Sequence, residues 1–468
     1  MVDQFNSHAQ IGVAITIHQN NNNDKDNNDD NNNNNNDDNF ENKNRLAHQD
    51  QNELLYVCGS ALGHEFRRLL FPYPTNGNGS NDDDEKTNNH NNHTTSLLTT
   101  TTTATPVYSR FLCPLDEALV ECRLRVVVAS QEEEGRLDDY TLEPYGGRTR
   151  VGWLQTHAVR RFFDGLAQTS GLSISLVRIR GRNGHHIVES SFKALSRALR
   201  NLLDQRLQLM DNNKTTTNVV TIPGLLLEQK NKNDSLDSSL RIGRVERQTK
   251  ETSISISLGL NGHNQNSVTV STGLPVLNAL YAELAQRAGW SLEMQCRGDL
   301  WIDDHHTTED VSIALGQALY QALGNKAGLN RMWCAQQTIS THNTEAAAAV
   351  VEAVVDLSNR PELHHNLVFC KEYLQMPKGT QDKDDDSDDD TTLLSTEMVL
   401  HALESLVVNA RITVHLVVVM QQEEDVALGG YELAMAAFGA LGEALRACCV
   451  VDPRRAGKTA SSKGTLSV

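Results

Sequence analysis

Two short strings hold the residues best suited to chemistry: Arg182-Asn183-Gly184-His185-His186-Ile187-Val188-Glu189 and Asp303-Asp304-His305-His306-Thr307-Thr308-Glu309-Asp310. If each string opens a helix, its first His and its Glu are four residues apart and share a face, so one ion can take both. The second His projects about 100° away and must serve another ion. Two such helices brought together would hold two metals, each drawing ligands from both helices. Imidazole and carboxylate without thiolate suit manganese, iron or zinc. The order differs from the His-Glu-x-x-His of zinc proteases, so no peptidase is implied. A single His pair at a helix start is ordinarily just solvated; two at equivalent positions of an internal repeat are not readily a coincidence.

The repeat is what must position them. Three segments share a helix ending in Leu-Ala or Leu-Val, a short turn, an alternating strand, a polar turn and a second amphipathic helix. They run Phe162–Ala167 into Leu172–Leu176, Leu280–Ala285 into Trp290–Leu292, and Ala402–Val407 into Ile412–Val414. The closing helix has the helical period: after Asp310, apolar residues fall at Val311, Ala314, Leu315, Ala318, Leu319, Ala322 and Leu323. Phe192, Leu195, Leu199 and Leu202 form the same stripe, as do Phe438, Leu441 and Leu445. These stripes are core, not cofactor boxes.

The 468 residues carry a net charge of −18, but unevenly. Asp24–Asp38 holds six acids and one lysine, Asp82–Lys86 four and one, and Lys378–Asp390 seven and two, a net −13 of the chain's −18. The remainder is nearly neutral and has no basic stripe to neutralise phosphates, which argues against a nucleic-acid partner. The Asn/Asp/Thr-rich stretches 20–39 and 76–105 and the acidic run 378–392 have too little apolar surface to offset ordering and are predicted to be disordered insertions. Asp211–Ser239 reads as linker, with Val219–Leu227 a possible short strand inside it. No apolar run approaches a bilayer span, so no membrane is expected. Met1–Asn20 lacks the marks of a secretory signal or transit peptide. Eight cysteines without regular spacing read as reduced, mostly buried thiols. A soluble, cytoplasmic protein is expected, with a plastid as the other compartment.

The sequence resembles imidazoleglycerol-phosphate dehydratase, a histidine-biosynthesis family that is itself internally duplicated with one His-His-x-x-Glu string per half. The resemblance is carried by Arg247–Thr252, Gly298–His306, Leu315–Leu319, Asn330-Arg331, Val355–Pro361, and Asp452–Arg455 through Ser462-Lys463-Gly464, in family order. A second, partial copy is carried by Pro114–Val120 and the string at 185–189. It implies an α/β fold, an α+β sandwich-like arrangement of tandem half-units, each a small mixed sheet packed against two helices. Residues 11–203 would be a first copy, 204–243 a linker and 244–466 a second copy. Two half-units have drifted. Asn52, Glu53 and Tyr56 stand where the first half of copy one should have its string, and Tyr431, Glu432 and Met435 where the second half of copy two should. The intact strings together make one full set. The positions of Asp116-Glu117 in copy one are held by Ala347-Ala348 in copy two, and that of Lys193 by Gly439. The family's additional metal-binding His, five positions before the Leu-Ala, is Ala279 and Arg161 in the halves that keep their strings. It survives as His401, in a half that lost its string.

The resemblance further implies a metal-dependent hydro-lyase that removes water from D-erythro-imidazoleglycerol phosphate to give imidazoleacetol phosphate. Two manganese ions per site would be held by His185, His186, Glu189, His305, His306 and Glu309, in triads His305/Glu309/His186 and His185/Glu189/His306. Catalytic carboxylates would be Glu251, Glu189 and Glu309. Arg331, Arg360, Lys193, Ser462 and Lys463 would hold the substrate phosphate, while Arg454 and Arg455 read as surface cations. Partners would be the phosphorylated imidazole substrate and further copies of the chain, since family members form symmetric assemblies. The competing reading is a non-catalytic relative with a structural or regulatory role.

Overall fold

The computed structural model describes residues 5–10, 13–14, 51–70, 108–127, 135–212, 241–260, 267–340, 347–377, 393–420, 429–455, 457–461 and 466. The predicted insertions 20–39, 76–105 and 378–392, the possible strand Val219–Leu227, and Ser462, Lys463 and Gly464 lie outside the described residues.

One pattern occurs three times. Helix α1 (Gln51–Leu70) is followed by β1 (Tyr108–Leu115), β2 (Ala118–Val126), β3 (Arg136–Tyr140), the small hairpin β4 (Arg150–Val151) and β5 (Leu154–Gln155), α2 (Thr156–Ser170), β6 (Leu172–Arg180) and α3 (Gly184–Asn212). Next come β7 (Ile242–Gln248), β8 (Thr252–Gly259), β9 (Val268–Ser271), α4 (Pro275–Ala288), β10 (Ser291–Gly298) and α5 (His305–Leu323). The last set is β11 (Met332–Ser340), β12 (Ala347–Asp356), β13 (Glu362–His365), the pair β14 (Tyr373–Gln375) and β15 (Leu393–Ser395), α6 (Thr396–Ala410), β16 (Thr413–Met420) and α7 (Gly430–Cys448). The four-stranded sheets have orders β1-β2-β6-β3, β7-β8-β10-β9 and β11-β12-β16-β13, each with its edge strand parallel to a neighbour and the other pairs antiparallel.

The sequence alternation sets which face each sheet buries. In β8, Ile254, Ile256 and Leu258 are buried while Ser253 and Ser255 are exposed, so helices cover one face and water the other. Sheets one and three differ because they pack on each other: Leu112, Leu119 and Val354 form a shared cluster and Phe111 meets Trp333 edge-on at 6.0 Å. Each such side chain contributes roughly 1.5–3 kcal/mol through burial. Arg110 spans this junction, bonding Glu121 of its own hairpin at 2.6 Å and Glu352 of β12 at 2.5 Å. Burial opposes its charge, but the two carboxylates overrule that and raise its pKa.

The helices pair between half-units: α5 lies along α6, α4 along α7, and α1 along α2. Each opening helix ends five residues after its Leu in a left-handed residue, Gly171, Gly289 and Arg411, which turns the chain into the next strand. Arg411 is the non-glycine among them, and its guanidinium stacks 4.9 Å over Tyr320 of the paired helix. Of the predicted first half of copy one, the described residues give α1; ahead of that copy's expected start, a π-helical turn, Phe5–Ala9, packs on α3. Among the described residues no helix is long and apolar enough to cross a membrane.

Candidate metal centre

Helix α5 opens at His305, whose backbone N–H donates to Asp303 Oδ1 at 2.9 Å. Asp304 accepts the backbone N–H of Ser395 at 2.7 Å, which ties the start of α5 to the start of α6. His401, in the second turn of α6, is thereby carried to the string. His305, Glu309 and His401 place donor atoms within 4.8 Å of one another, the one grouping of three such residues among the described residues. Glu309 stands 3.7 Å from His305 Nε2 and 3.5 Å from His401 Nε2, and the two imidazole rings are 5.4 Å apart. The His401 Nε2 is shielded from water and has no hydrogen-bond partner. Two imidazoles and a carboxylate converging on one point, with an unpartnered nitrogen aimed into it, fit a divalent transition ion. Beside them opens a cleft of 590 Å³ lined by Pro361, Glu362, His365 and Glu397.

The second His of each string is held differently. His306 Nδ1 meets Asp299 at 3.0 Å, and its Nε2 faces Glu251 at 3.8 Å. Asp299, then Glu251, raises the His306 pKa against the effect of burial. His186 repeats the arrangement: Nδ1 meets Glu117 at 2.6 Å and Nε2 faces Asp116 at 3.7 Å. Burial would raise the Glu117 carboxyl, but hydrogen bonds from His186 and from the backbone N–H groups of Asn183 and Arg182 hold it below the ordinary range. Glu251 and Asp116 both sit in the turn of the hairpin that opens a sheet, so the sheets deliver a carboxylate to each second imidazole. Such partners fix a ring's orientation and tautomer.

In the other string, His185 Nε2 lies 3.1 Å from Glu189, which also takes Lys193 at 2.7 Å. Burial would raise the Glu189 carboxyl, but Lys193 and His185 keep it low.

The expected triads are not assembled within the chain. Among the described residues no hydrogen bond or ion pair joins 185–189 to 305–309, and the third donor beside His305 and Glu309 is His401, not His186. The reason is packing: α5 pairs with α6, whereas α3 lies on sheet one and its His186 is taken by the β1–β2 turn. Between the strings runs the segment after β12, where Arg360 donates to Asp116 at 2.5 Å and Pro361 reaches the cleft.

Arg331 also departs from expectation. It is buried, with Nε and Nη2 on Asp356 at 2.7 and 2.8 Å and Nη1 on the Ala460 carbonyl, so its fork is spent inside the fold and not offered to a phosphate. Arg455, read as a surface cation, is buried and donates to the Ser7 carbonyl at 2.9 Å. Lys193 is buried beside Glu189, and Arg360 keeps a third of its side chain exposed. Asp116, Glu117 and Asp299 were not assigned to the site from sequence. The signal was the placement of an acid in the turn before each second imidazole.

Fold and site together define a duplicated α/β protein with His/Glu clusters at the starts of paired helices. The family model for imidazoleglycerol-phosphate dehydratase matches residues 97–199 and 272–445. The chloroplastic imidazoleglycerol-phosphate dehydratase of Pisum sativum is 34% identical over 227 residues, covering 48% of this chain and 69% of that one. The imidazoleglycerol-phosphate dehydratase of Gloeobacter violaceus is 34% identical over 226 residues, 48% of this chain and 98% of that one. A crystal structure of the Staphylococcus aureus imidazoleglycerol-phosphate dehydratase aligns over 45% of this chain and 99% of that one, at 24% identity and a TM-score of 0.33. The chain belongs to the imidazoleglycerol-phosphate dehydratase family, with the family's unit present in tandem.

Proposed function

We propose that this chain dehydrates D-erythro-imidazoleglycerol phosphate to imidazoleacetol phosphate in a metal-dependent reaction. The convergence of His305, Glu309 and His401 carries the reading. A manganese-type ion bound there would act as a Lewis acid toward the substrate imidazole, allowing charge to enter the ring as the neighbouring carbon loses its proton. Glu251, half exposed in the β7–β8 turn and facing His306, would take that proton. Asp299 keeps the His306 ring oriented toward it. On the other string His185 and Glu189 offer two donors, and the half-exposed His185 leaves room for a group from a second copy of the chain. A homo-oligomer whose copies complete one another's centres is the arrangement this favours. Arg360, a third exposed, would read the phosphate with Ser462 and Lys463, whereas Lys193 is buried and held by Glu189 and could join them only if that pair opened.

The alternative, a non-catalytic relative, draws support from Arg331, whose donors are consumed by Asp356 and Ala460. Metal analysis of the purified protein, followed by a coupled assay for imidazoleacetol phosphate, separates the two. Turnover that vanishes in Glu309→Gln and His401→Ala, together with lost metal, supports the enzyme. Bound manganese without turnover at any substrate concentration leaves the non-catalytic reading.

A further inference from the structure

Three helix pairs are built on one register. A Cβ on Gly316 of α5 would meet Leu406 O at 2.7 Å and Ala410 N at 3.0 Å on α6. On Gly63 of α1 it would meet Leu166 O at 2.7 Å and Ser170 N at 3.1 Å on α2, and on Gly442 of α7 Leu284 O at 2.4 Å and Ala288 N at 3.2 Å on α4. The same backbone atoms are approached each time, so positions can be matched by geometry. Eleven residues before each glycine stand His305, Asn52 and Tyr431; seven before stand Glu309, Tyr56 and Met435; five before each contacted leucine stand His401, Arg161 and Ala279. The corner that gathers His-Glu-His between α5 and α6 therefore has Asn-Tyr-Arg between α1 and α2, and Tyr-Met-Ala between α4 and α7.

Only the first of these donor sets fits a divalent ion. At the second corner the Arg161 guanidinium lies 4.8 Å over the Tyr56 ring, with Nη1 3.5 Å from Asp164. The Tyr56 hydroxyl, on α1, donates to Gln168 of α2. A guanidinium stays charged at every pH a protein survives and is attracted to the negative face of a phenol ring. It also repels any second cation. We propose that Arg161 is a cation supplied by the chain itself in the place where the α5–α6 corner takes a metal, so that the α1–α2 corner is a metal-free tie between helices. The comparison rests on reading the α5–α6 corner as a metal centre; the tie itself does not.

The test has three arms. First, the combined variant N52H, Y56E and R161H is titrated with Mn²⁺ alone, following bound ion by electron paramagnetic resonance. It should bind one more ion per chain than the unaltered protein, and a folded variant that gains none overturns the matched register. Second, R161M should lower the melting temperature by about 2 °C, equally in metal-loaded and chelator-treated protein. No change, or a loss confined to the metal-loaded form, overturns the tie even if the combined variant fails to fold. Third, H401A should lose one bound ion; if it does not, the metal reading of α5–α6 fails while the R161M arm still decides the tie.

Discussion

At the scale of single residues, Arg331 and Lys326 show how much charge this fold keeps inside. Asp356 accepts both of its bonds from Arg331, and neither side chain reaches solvent to any extent. Asp356→Ala leaves a buried guanidinium without its counter-ion and is expected to cost roughly 3–5 kcal/mol, read from urea unfolding. Lys326 is buried against Asn359 and the Arg411 carbonyl, and burial lowers its pKa to about 8. In the unfolded chain the same group titrates near about 10.4. Between these values the unfolded state holds more protons, so stability should rise with pH across the window, and the cost of burying the ammonium is full below it. Lys326→Met should remove that slope, measured as urea midpoints from pH 7 to 10.5. The strings themselves were legible because His-His-x-x-Glu is an unusual spacing that occurs twice. His401 was visible but was assigned to a half that had lost its ligands, since periodicity within one helix cannot say which helix lies beside it. Arg331 looked available for the same reason: a sequence shows a cation without showing the carboxylate that occupies it.

At the scale of elements, the half-unit could be read from alternating strands followed by a 3.6-period stripe. The pairing of helices across half-units could not, because it is set by glycines that look like ordinary helix residues until their partners' backbones are seen. Gly316 is the case that bears on the centre. Gly316→Ala would place a Cβ 2.7 Å from both the Leu406 carbonyl and Asn409 Cβ, so α6 must move away from α5. His401 rides on α6 and would move with it. The expected result is a weaker Mn²⁺ affinity, by about tenfold, alongside a lower melting temperature. An affinity unchanged by G316A would show that the triad does not depend on this contact.

At the scale of the molecule, the Asn- and Asp-rich stretches carry most of the net charge, and the tandem was legible once they were set aside. The face-to-face packing of sheets one and three was not, since a strand's own residues do not show which sheet lies against it. Arg110 joins Glu121 and Glu352 across that junction; Glu121 also takes Arg123, so removal of Arg110 leaves the buried Glu352 as the acid that loses its cation. Arg110→Met should therefore destabilise the protein by roughly 3–5 kcal/mol, read from urea unfolding, because a buried carboxylate loses its counter-ion. A loss under about 1 kcal/mol would mean that packing, not charge, holds the sheets together.

Trp301 is 83% exposed in the loop leading to His305, while Trp290 is fully buried behind the same sheet. The indole is thus a fluorophore built next to the histidine string. Binding of a paramagnetic ion should dim its emission, and a second subunit seated on the loop should shift that emission to the blue and shield it from acrylamide. With Trp153, the other strongly exposed indole, changed to Phe, ion loading and assembly could be followed as separate optical signals from one unlabelled sample.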